Sequence, residues 1–520
     1  MEKRIKLFAA MLMLCLSTMA DGVGFRNPII NADVPDISVC HVGDTYYMVS
    51  TTMHLMPGAP VMKSKDFKHW ETVSYVFPRI DDGDRYDLID GKTAYGQGQW
   101  AASIRHHNGK FYVWFTANGE PYKGFIYTSD KPEGPWALFS RPPHFHDGSL
   151  FFDDNGKAYI FYGNQDGDVV ELNSTLDSPV RSFKTHVRDG IENGLLEGSN
   201  MIKHDGKYYL LMISWPQGGK RREVCYRADN IEGPYTKKII LDNALPPFSG
   251  GVAQGTIVDT PDGNWLGMFF QDRYGIGRTP CIMPCRWEDG WPVLGIEGNV
   301  PDDLTTSYIH QTGILGSDEF NSPQLSLYWQ WNHNPIDNAW SLTAKQGALR
   351  LTTARIVDNL FAAPNTITQR MEGPKSFATV CIDLAKMKDG DHCGFTAFNG
   401  TSGVLDVSKE GRKYFLAMQK QQLKLDRQHA IEKVDIITME RIQLKKKKIY
   451  LRVYGDFTDG RDIATFAYSL DGTNFTNIGG EVKMPFDLST FFMGSKFAIF
   501  NYATKQLGGY VDVDWFHFNE

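Results

Sequence analysis

Positive charge, paired cysteines and long apolar runs are all in short supply in this chain, and each shortage closes off a class of function. Lysine and arginine number 54 against 61 acids, a formal net charge of −7, so the basic surface that nucleic acid or an anionic membrane would demand is missing. The seven cysteines are scattered, at Cys15, Cys40, Cys225, Cys281, Cys285, Cys381 and Cys393. The nearest two, in the segment CIMPC, lack redox spacing, and the set suits neither a zinc site nor a small disulfide scaffold, so they read as buried free thiols. One apolar run stands out, Leu7 to Met19, with Lys3, Arg4 and Lys6 before it and small residues at Thr18 and Ala20. It falls short of the about 20 residues a membrane helix needs, so residues 1–20 read as a secretory signal peptide that directs a secreted or periplasmic protein. Leu12-Met13-Leu14 lack the small residue that lipid attachment at Cys15 would require. Loss of the leader removes three cations and one anion and takes the charge from −7 to −9. No later segment is long and apolar enough to cross a bilayer as a helix.

What is present is glycine, 50 residues, and aromatic side chains, 13% of the chain, a balance that favours short strands and tight turns and so an all-β class. At 520 residues the chain exceeds a single hydrophobic core. One strand–turn–strand pattern returns five times at intervals of about 45 to 65 residues: SVCHVGDTYYMVS from Ser38, SIRHHNGKFYVWFT from Ser103, SLFFDDNGKAYIFYG from Ser149, SNMIKHDGKYYLLMIS from Ser199 and TIVDTPDGNWLGMFF from Thr256. Four copies carry Asn-Gly or Asp-Gly between aromatic and β-branched runs, the strongest short-range hairpin signal. Segments ending in an aromatic follow three copies, SKDFKHW to Trp70, SDKPEGPW to Trp136 and ADNIEGPY to Tyr235, and read as outer strands of each unit. Five antiparallel units that cannot bury their own faces close most economically into a ring. The expectation is a five-bladed β-propeller over residues 25–300.

Aligned on the first Ser or Thr, the residue two places earlier is Asp36, Ala101, Asp147, Glu197 and Gln254 in turn. Equivalent positions in a propeller converge on its axis, so three acids remote in sequence become neighbours. Carboxylates crowded at low dielectric repel, and at least one is expected to keep its proton near neutral pH. That is costly as structure and useful for cleaving a glycoside, which needs an acid for the departing oxygen and a base for water on the opposite face of the sugar. A third carboxylate can tune the acid. The bland alternative for each acid alone is a strand cap or a structural cation.

At these residues the sequence resembles glycoside hydrolase family 43, in its two-domain β-xylosidase and α-L-arabinofuranosidase branch. NPIINADVPDISV resembles the opening motif, which implies Asp36 as general base. HDGSLFFDDNGKAYIFYG resembles the motif whose Asp tunes the acid, Asp147, and LLEGSNMIKHDGKYYLL the general-acid motif, Glu197. GQWAASIRHHNGKFY implies a pocket Trp, Trp100, with a flat apolar face for sugar C–H groups. GIGRTPCIMPCRWEDGWPVLG implies an Arg on the bound pentose, Arg278, able to bond two hydroxyls. Two places depart from the pattern: Met53 stands where a pocket Phe is often found, and Ala253 and Gln254 stand where many members carry a His near a central calcium or water. Gln254 is therefore a candidate substrate contact, and no metal ligand is assigned. The resemblance implies inversion in one displacement, with no cofactor required for the chemistry.

After Gly316 the repeat stops, and from Asp318 short alternating strands such as GALRLTTA and YLRVYGDF read as a β-sandwich over residues 318–520. It resembles the concanavalin-like sandwich of this branch, which implies packing on the propeller and a loop over the pocket mouth. Asp318 and Asp514 are candidates for a structural calcium, with solvated carboxylates as the alternative. Lys445 to Lys448 read as a solvated hairpin end, not a polyanion site. The expected function is exo-acting release of a terminal pentose, arabinofuranose ahead of xylose, from plant oligosaccharide or polysaccharide. An endo-acting arabinanase or xylanase and a glycan-binding propeller without activity are the alternatives.

Overall fold

A computed structural model describes residues 25–520; the signal-peptide reading lies outside the described residues. Five four-stranded antiparallel sheets follow one another along the chain, each in sequential strand order. Their innermost strands are Ser38–Val42, Gly98–His107, Ser149–Phe152, Leu195–His204 and Ala253–Asp259, so each repeat found in the sequence supplies the first hairpin of one blade. Asn108 and Gly109, and Asp205 and Gly206, all take positive φ as two-residue turns joining His107 to Lys110 and His204 to Lys207, the mirror-image turn that matches strand twist.

The repeated Ser has a physical reason. Ser38 Oγ accepts from Ile104 N of the next blade at 3.3 Å, Ser103 Oγ from Leu150 N at 2.9 Å, and Ser149 Oγ from Met201 N at 3.3 Å. Asn200 Nδ2 continues the chain of contacts to Gly255 O at 3.1 Å. Between the blades lie five apolar clusters, one per gap, including the gap between the fifth blade and the first, where Val39, Met48 and Met62 pack on Val258, Met268 and Ile282. The ring is closed by Ile29 N and Val34 N, which donate to Pro280 O and Arg278 O of the fifth blade.

Three segments expected to be outer strands are turns instead. Residues 65–70, 130–136 and 229–235 link the third strand of a blade to the fourth, which begins at Glu71, Ala137 and Thr236. Asp66 explains the first: its carboxylate accepts from Lys68 N and His69 N, and these side-chain bonds to nearby backbone compete with a ladder. Pro135 and Pro234 explain the others, since proline has no N–H to give a ladder.

The C-terminal part is a sandwich of two eight-stranded sheets. One sheet includes Leu55–Met56 from the first blade, paired with Gln330–Asn332, so the sandwich is completed by a strand of the propeller. An apolar cluster joins Met53 and Leu55 to Phe361, Phe398 and Phe491 across the junction. Lys445–Lys447 do not form a hairpin end: the preceding strand, Ile431–Leu444, pairs in one sheet and the following strand, Lys448–Asp456, in the other. Asp318 accepts from Phe320 N, Ser326 Oγ and Trp329 Nε1 at 2.8 to 3.0 Å, whereas Asp514 pairs with Lys345 and Lys448. All six described cysteines are free. Among the described residues no helix is long and apolar enough to cross a membrane.

Asp33 holds the two parts together. Its carboxylate, 1% exposed, accepts from Lys496 Nζ at 3.1 Å and Gly494 N at 2.9 Å in the sandwich and from Arg278 N at 3.0 Å in the fifth blade. Burial pushes this carboxyl up, but Lys496, Arg278 and the two backbone N–H groups more than reverse that, so it is held below its ordinary value. Gly277, at φ 101°, makes room for it, since a Cβ there would stand 2.3 Å from Asp33 Oδ1. Removing one partner of a buried ion pair strands the other. Asp33→Asn and Lys496→Met should each cost about 3 to 5 kcal/mol in urea unfolding, and a loss under about 1 kcal/mol would show the pair to be incidental.

Candidate active site

The innermost strands carry their functional side chains on distorted backbone. Asp36, Asp147 and Gln254 sit at φ 51°, 47° and 54°, a conformation uncommon outside glycine and typical of functional sites. The ladder is interrupted by a register shift between Glu197 and Asn200 and between Ala253 and Gly255, and such bulges re-aim side chains. Gly198, at φ 65°, allows the bulge beside Glu197, because a Cβ there would meet the Gln254 side chain at 2.7 Å. The outcome is a cavity of about 580 Å³ at the propeller axis, on whose wall stand all six residues singled out in the sequence: Asp36, Trp100, Asp147, Glu197, Gln254 and Arg278. Ala101, the apolar member of the repeat position, lies in a small hollow that Asp36, Asp147 and Gln254 also border.

Asp36 is 7% exposed and bonded on both oxygens: Arg278 Nη1 donates to Oδ1 at 2.7 Å and Thr51 Oγ1 to Oδ2 at 2.6 Å. Arg278, 4% exposed, keeps Nε and Nη2 without a protein partner. Buried donors are seldom left unpaired, and these two are available to sugar hydroxyls. Its guanidinium also lies 4.6 Å from the ring of Phe492.

The opposite side is organised by His146, which the sequence reading missed although it directly precedes Asp147. Its Nε2 stands 3.0 Å from Glu197 Oε2 and 3.9 Å from Asp147 Oδ1. Burial pulls this imidazole down, yet Asp147, Glu197 and Asp36 together lift it to about 9. Asp147 is pushed up to about 7, first by burial and then by Glu197 and Asp36, with His146 and Arg278 opposing. Asp147 Oδ1 has no hydrogen-bond partner. Asp147 and His146 therefore titrate as an interacting pair, and with Glu197 they form a close group of three. They bring ligand atoms within 4.8 Å of one another, the one group among the described residues that could hold a metal ion; protonated His146 supplies positive charge at that place.

Trp100 lies on the wall with its ring centroid 5.8 Å from His146 and 5.6 Å from Phe492. Met53 is buried among residues of the domain junction and does not line the cavity; the sandwich supplies an aromatic side, Phe492, together with Leu488, Ser489 and His429. Arg221, paired with Asp272 and stacked 4.6 Å from Trp215, forms part of the rim. Beneath Gln254 lies Glu223, fully buried, whose Oε2 accepts from Gln254 N at 2.8 Å. Burial pushes this carboxyl up to about 8. No local pattern announces these residues, since each reaches the cavity through tertiary packing.

Three carboxyl groups and a histidine gathered around the axial cavity of a propeller suit the cleavage of glycosidic bonds, and comparison with known proteins agrees. Residues 25–292 match the family model for glycosyl hydrolases family 43, and residues 317–519 match that for the beta xylosidase C-terminal concanavalin A-like domain. The chain belongs to glycosyl hydrolase family 43 and is a glycosidase. It is 27% identical, over 95% of its length and 90% of the relative's, to a beta-xylosidase of Formosa agariphila. It is 29% identical, over 71% and 73%, to a non-reducing end alpha-L-arabinofuranosidase of Bacteroides ovatus. A bifunctional GH43-CE protein of Bacteroides eggerthii superposes with a TM-score of 0.88 at 38% identity, over 96% of this chain and 64% of that one.

Two outcomes follow from this geometry. Because Asp147 must ionise as pH passes about 7, kcat/KM should fall on the alkaline side of that value, and Asp147→Asn should displace or abolish that limb; an identical limb in the variant would remove Asp147 from the proton set. Glu223, raised in the folded state, contributes stability below its unfolded value of 4.5 that is lost as pH rises through about 8. Glu223→Gln should therefore flatten the decline of melting temperature between about pH 4.5 and 8, and a wild-type decline would show that Glu223 ionises at no cost.

Proposed function

We propose that this chain is an exo-acting, inverting glycosidase that releases terminal pentose, α-L-arabinofuranose or β-D-xylose, from plant hemicellulose or pectin side chains. The observation that carries the reading is the wall contributed by the sandwich. Leu488, Ser489 and Phe492 stand on the same cavity as Asp36 and Glu197, so a groove across the propeller face is interrupted and a chain end fits where a chain middle does not. The names of the relatives, β-xylosidase and arabinofuranosidase, support a pentose.

In this reading water lies against Asp36, whose carboxylate takes its proton as the oxygen attacks the anomeric carbon. Thr51 and Arg278 hold Asp36 in one orientation. Glu197, more open to the cavity than Asp147, delivers a proton to the departing oxygen. His146 holds Glu197 through its 3.0 Å contact beside Asp147, and the free Arg278 donors and the Trp100 face seat the sugar. The chemistry calls for no cofactor. We assign a leader at residues 1–20 and a secreted or periplasmic place of action to the same reading, since plant polysaccharide is met outside the cytoplasm.

Asp36→Ala and Glu197→Ala should each lower kcat about 10²- to 10⁴-fold with the fold intact by circular dichroism, Asp36→Ala at a lower melting temperature because it leaves buried Arg278 without its partner, and wild-type turnover by either would remove that residue from the mechanism. Hydrolysis of 4-nitrophenyl α-L-arabinofuranoside and β-D-xylopyranoside separates the two sugars. NMR of the first product should show the inverted anomer, and chain-length analysis should show monosaccharide from the outset; a retained anomer or early oligosaccharide would overturn inversion or exo action respectively. Phe492→Ala should raise KM about tenfold, the loss of one aromatic contact, with the fold intact by circular dichroism.

A further inference from the structure

The sandwich has a second cavity, about 680 Å³, that shares no lining residue with the catalytic one. Its floor is the outer face of a sheet. Along Lys375–Asp383, Ala378, Val380 and Ile382 face the sandwich core and are fully buried, so Phe377, between Ser376 and Ala378, faces away. Tyr454 is its cross-strand partner, and Thr465 is the partner of Tyr454 on the next strand. The solvent side of an antiparallel sheet normally alternates to polar residues, and two neighbouring rings break that rule. They are held in place: the Phe377 and Tyr454 centroids are 5.4 Å apart at 36°, and the Arg452 guanidinium lies 5.0 Å from the first.

Around this aromatic floor the lining is polar. Thr465, Asn477 and Glu481, whose side chains carry hydroxyl, amide and carboxylate groups, are exposed and line the cavity. The charges nearby cancel one another, as Asp456 lies 3.4 Å from Lys375 and 3.3 Å from Arg461, so the groove selects no charged ligand. A rigid, partly apolar platform bordered by a few hydrogen-bonding groups and without net charge matches a sugar chain, whose rings have apolar faces and polar edges. The volume lies within the about 300 to 1,000 Å³ of small-molecule sites.

We propose that this groove is a second glycan-binding site, which holds a stretch of neutral hemicellulose chain on the sandwich while a chain end is processed at the propeller. It rests on the glycosidase reading above, because it names where the same polymer is held. Two tethered sites raise the local concentration of polymer at the pocket without altering its chemistry.

The test uses Glu197→Gln, which blocks turnover, in native affinity electrophoresis through gels containing soluble arabinoxylan. Retardation should persist with saturating free xylose and arabinose, and Phe377→Ala with Tyr454→Ala in the same background should weaken it about tenfold. In the active enzyme the same pair should leave kcat/KM for the 4-nitrophenyl pentosides unchanged and raise KM for arabinoxylan about tenfold. Asn477→Ala, an exposed change that spares the sheet, should weaken retardation in the same direction and carries the test if the aromatic pair does not fold. Absence of retardation, its loss on adding free pentose, or equal retardation with and without the substitutions would overturn the proposal. Failure of the wild-type enzyme to cleave either pentoside would instead overturn the catalytic reading, and the binding result would stand apart from it.

Discussion

The buried carboxylate of Asp33 is the constraint on which the active site depends. A charge at 1% exposure survives only with partners, and its partners come from three places: the start of the Arg278 strand, the Gly494 turn and Lys496. The first fixes the residue that grips Asp36. The second and third anchor the stretch immediately after Phe492, which closes the cavity. One buried ion thereby sets the distance between the propeller's acids and the sandwich's wall.

The site itself stores strain and crowding in return for reactivity. Positive φ at Asp36, Asp147 and Gln254 is unfavourable by roughly 1 to 3 kcal/mol each and persists because the blades on both sides over-determine the backbone. Crowding of Asp36, Asp147 and Glu197 is likewise unfavourable when all are ionised, and His146 relieves it from its place beside Asp147 and Glu197. The acids do not behave alike because their surroundings differ: Asp36 faces a guanidinium and a hydroxyl, whereas Asp147 is buried with one oxygen unpartnered. In the proposed reaction, separation of roles by environment lets two carboxylates perform opposite proton transfers at one pH.

Much of this is legible in the residues because a propeller is written as a repeat. The hairpin turns at Asn108-Gly109 and Asp205-Gly206, the Ser that bonds the next blade and the acids two places before it all share one register. Periodicity announces such positions before any coordinates exist. What is not legible lacks a period. His146 carries one faint signal, adjacency to Asp147; Phe492 and Arg221 carry none, since they meet the cavity by packing of distant segments. The aromatic end of SKDFKHW suggests an outer strand, while Asp66 already commits the backbone there to a turn. The run at Lys445 resembles a hairpin end because sequence does not reveal that its two flanking strands belong to different sheets.

The bond between Lys496 and Asp33 spans 463 positions of the chain, and this separation orders events in time. A polypeptide delivered from its N-terminus can assemble blade upon blade as each repeat arrives, because blades contact their neighbours in sequence. The pocket wall and the cation for Asp33 come only after all five blades in the order of synthesis. Competence to cut sugar thus waits on residues beyond the ring, and a chain interrupted there holds all three acids yet remains an unfinished vessel.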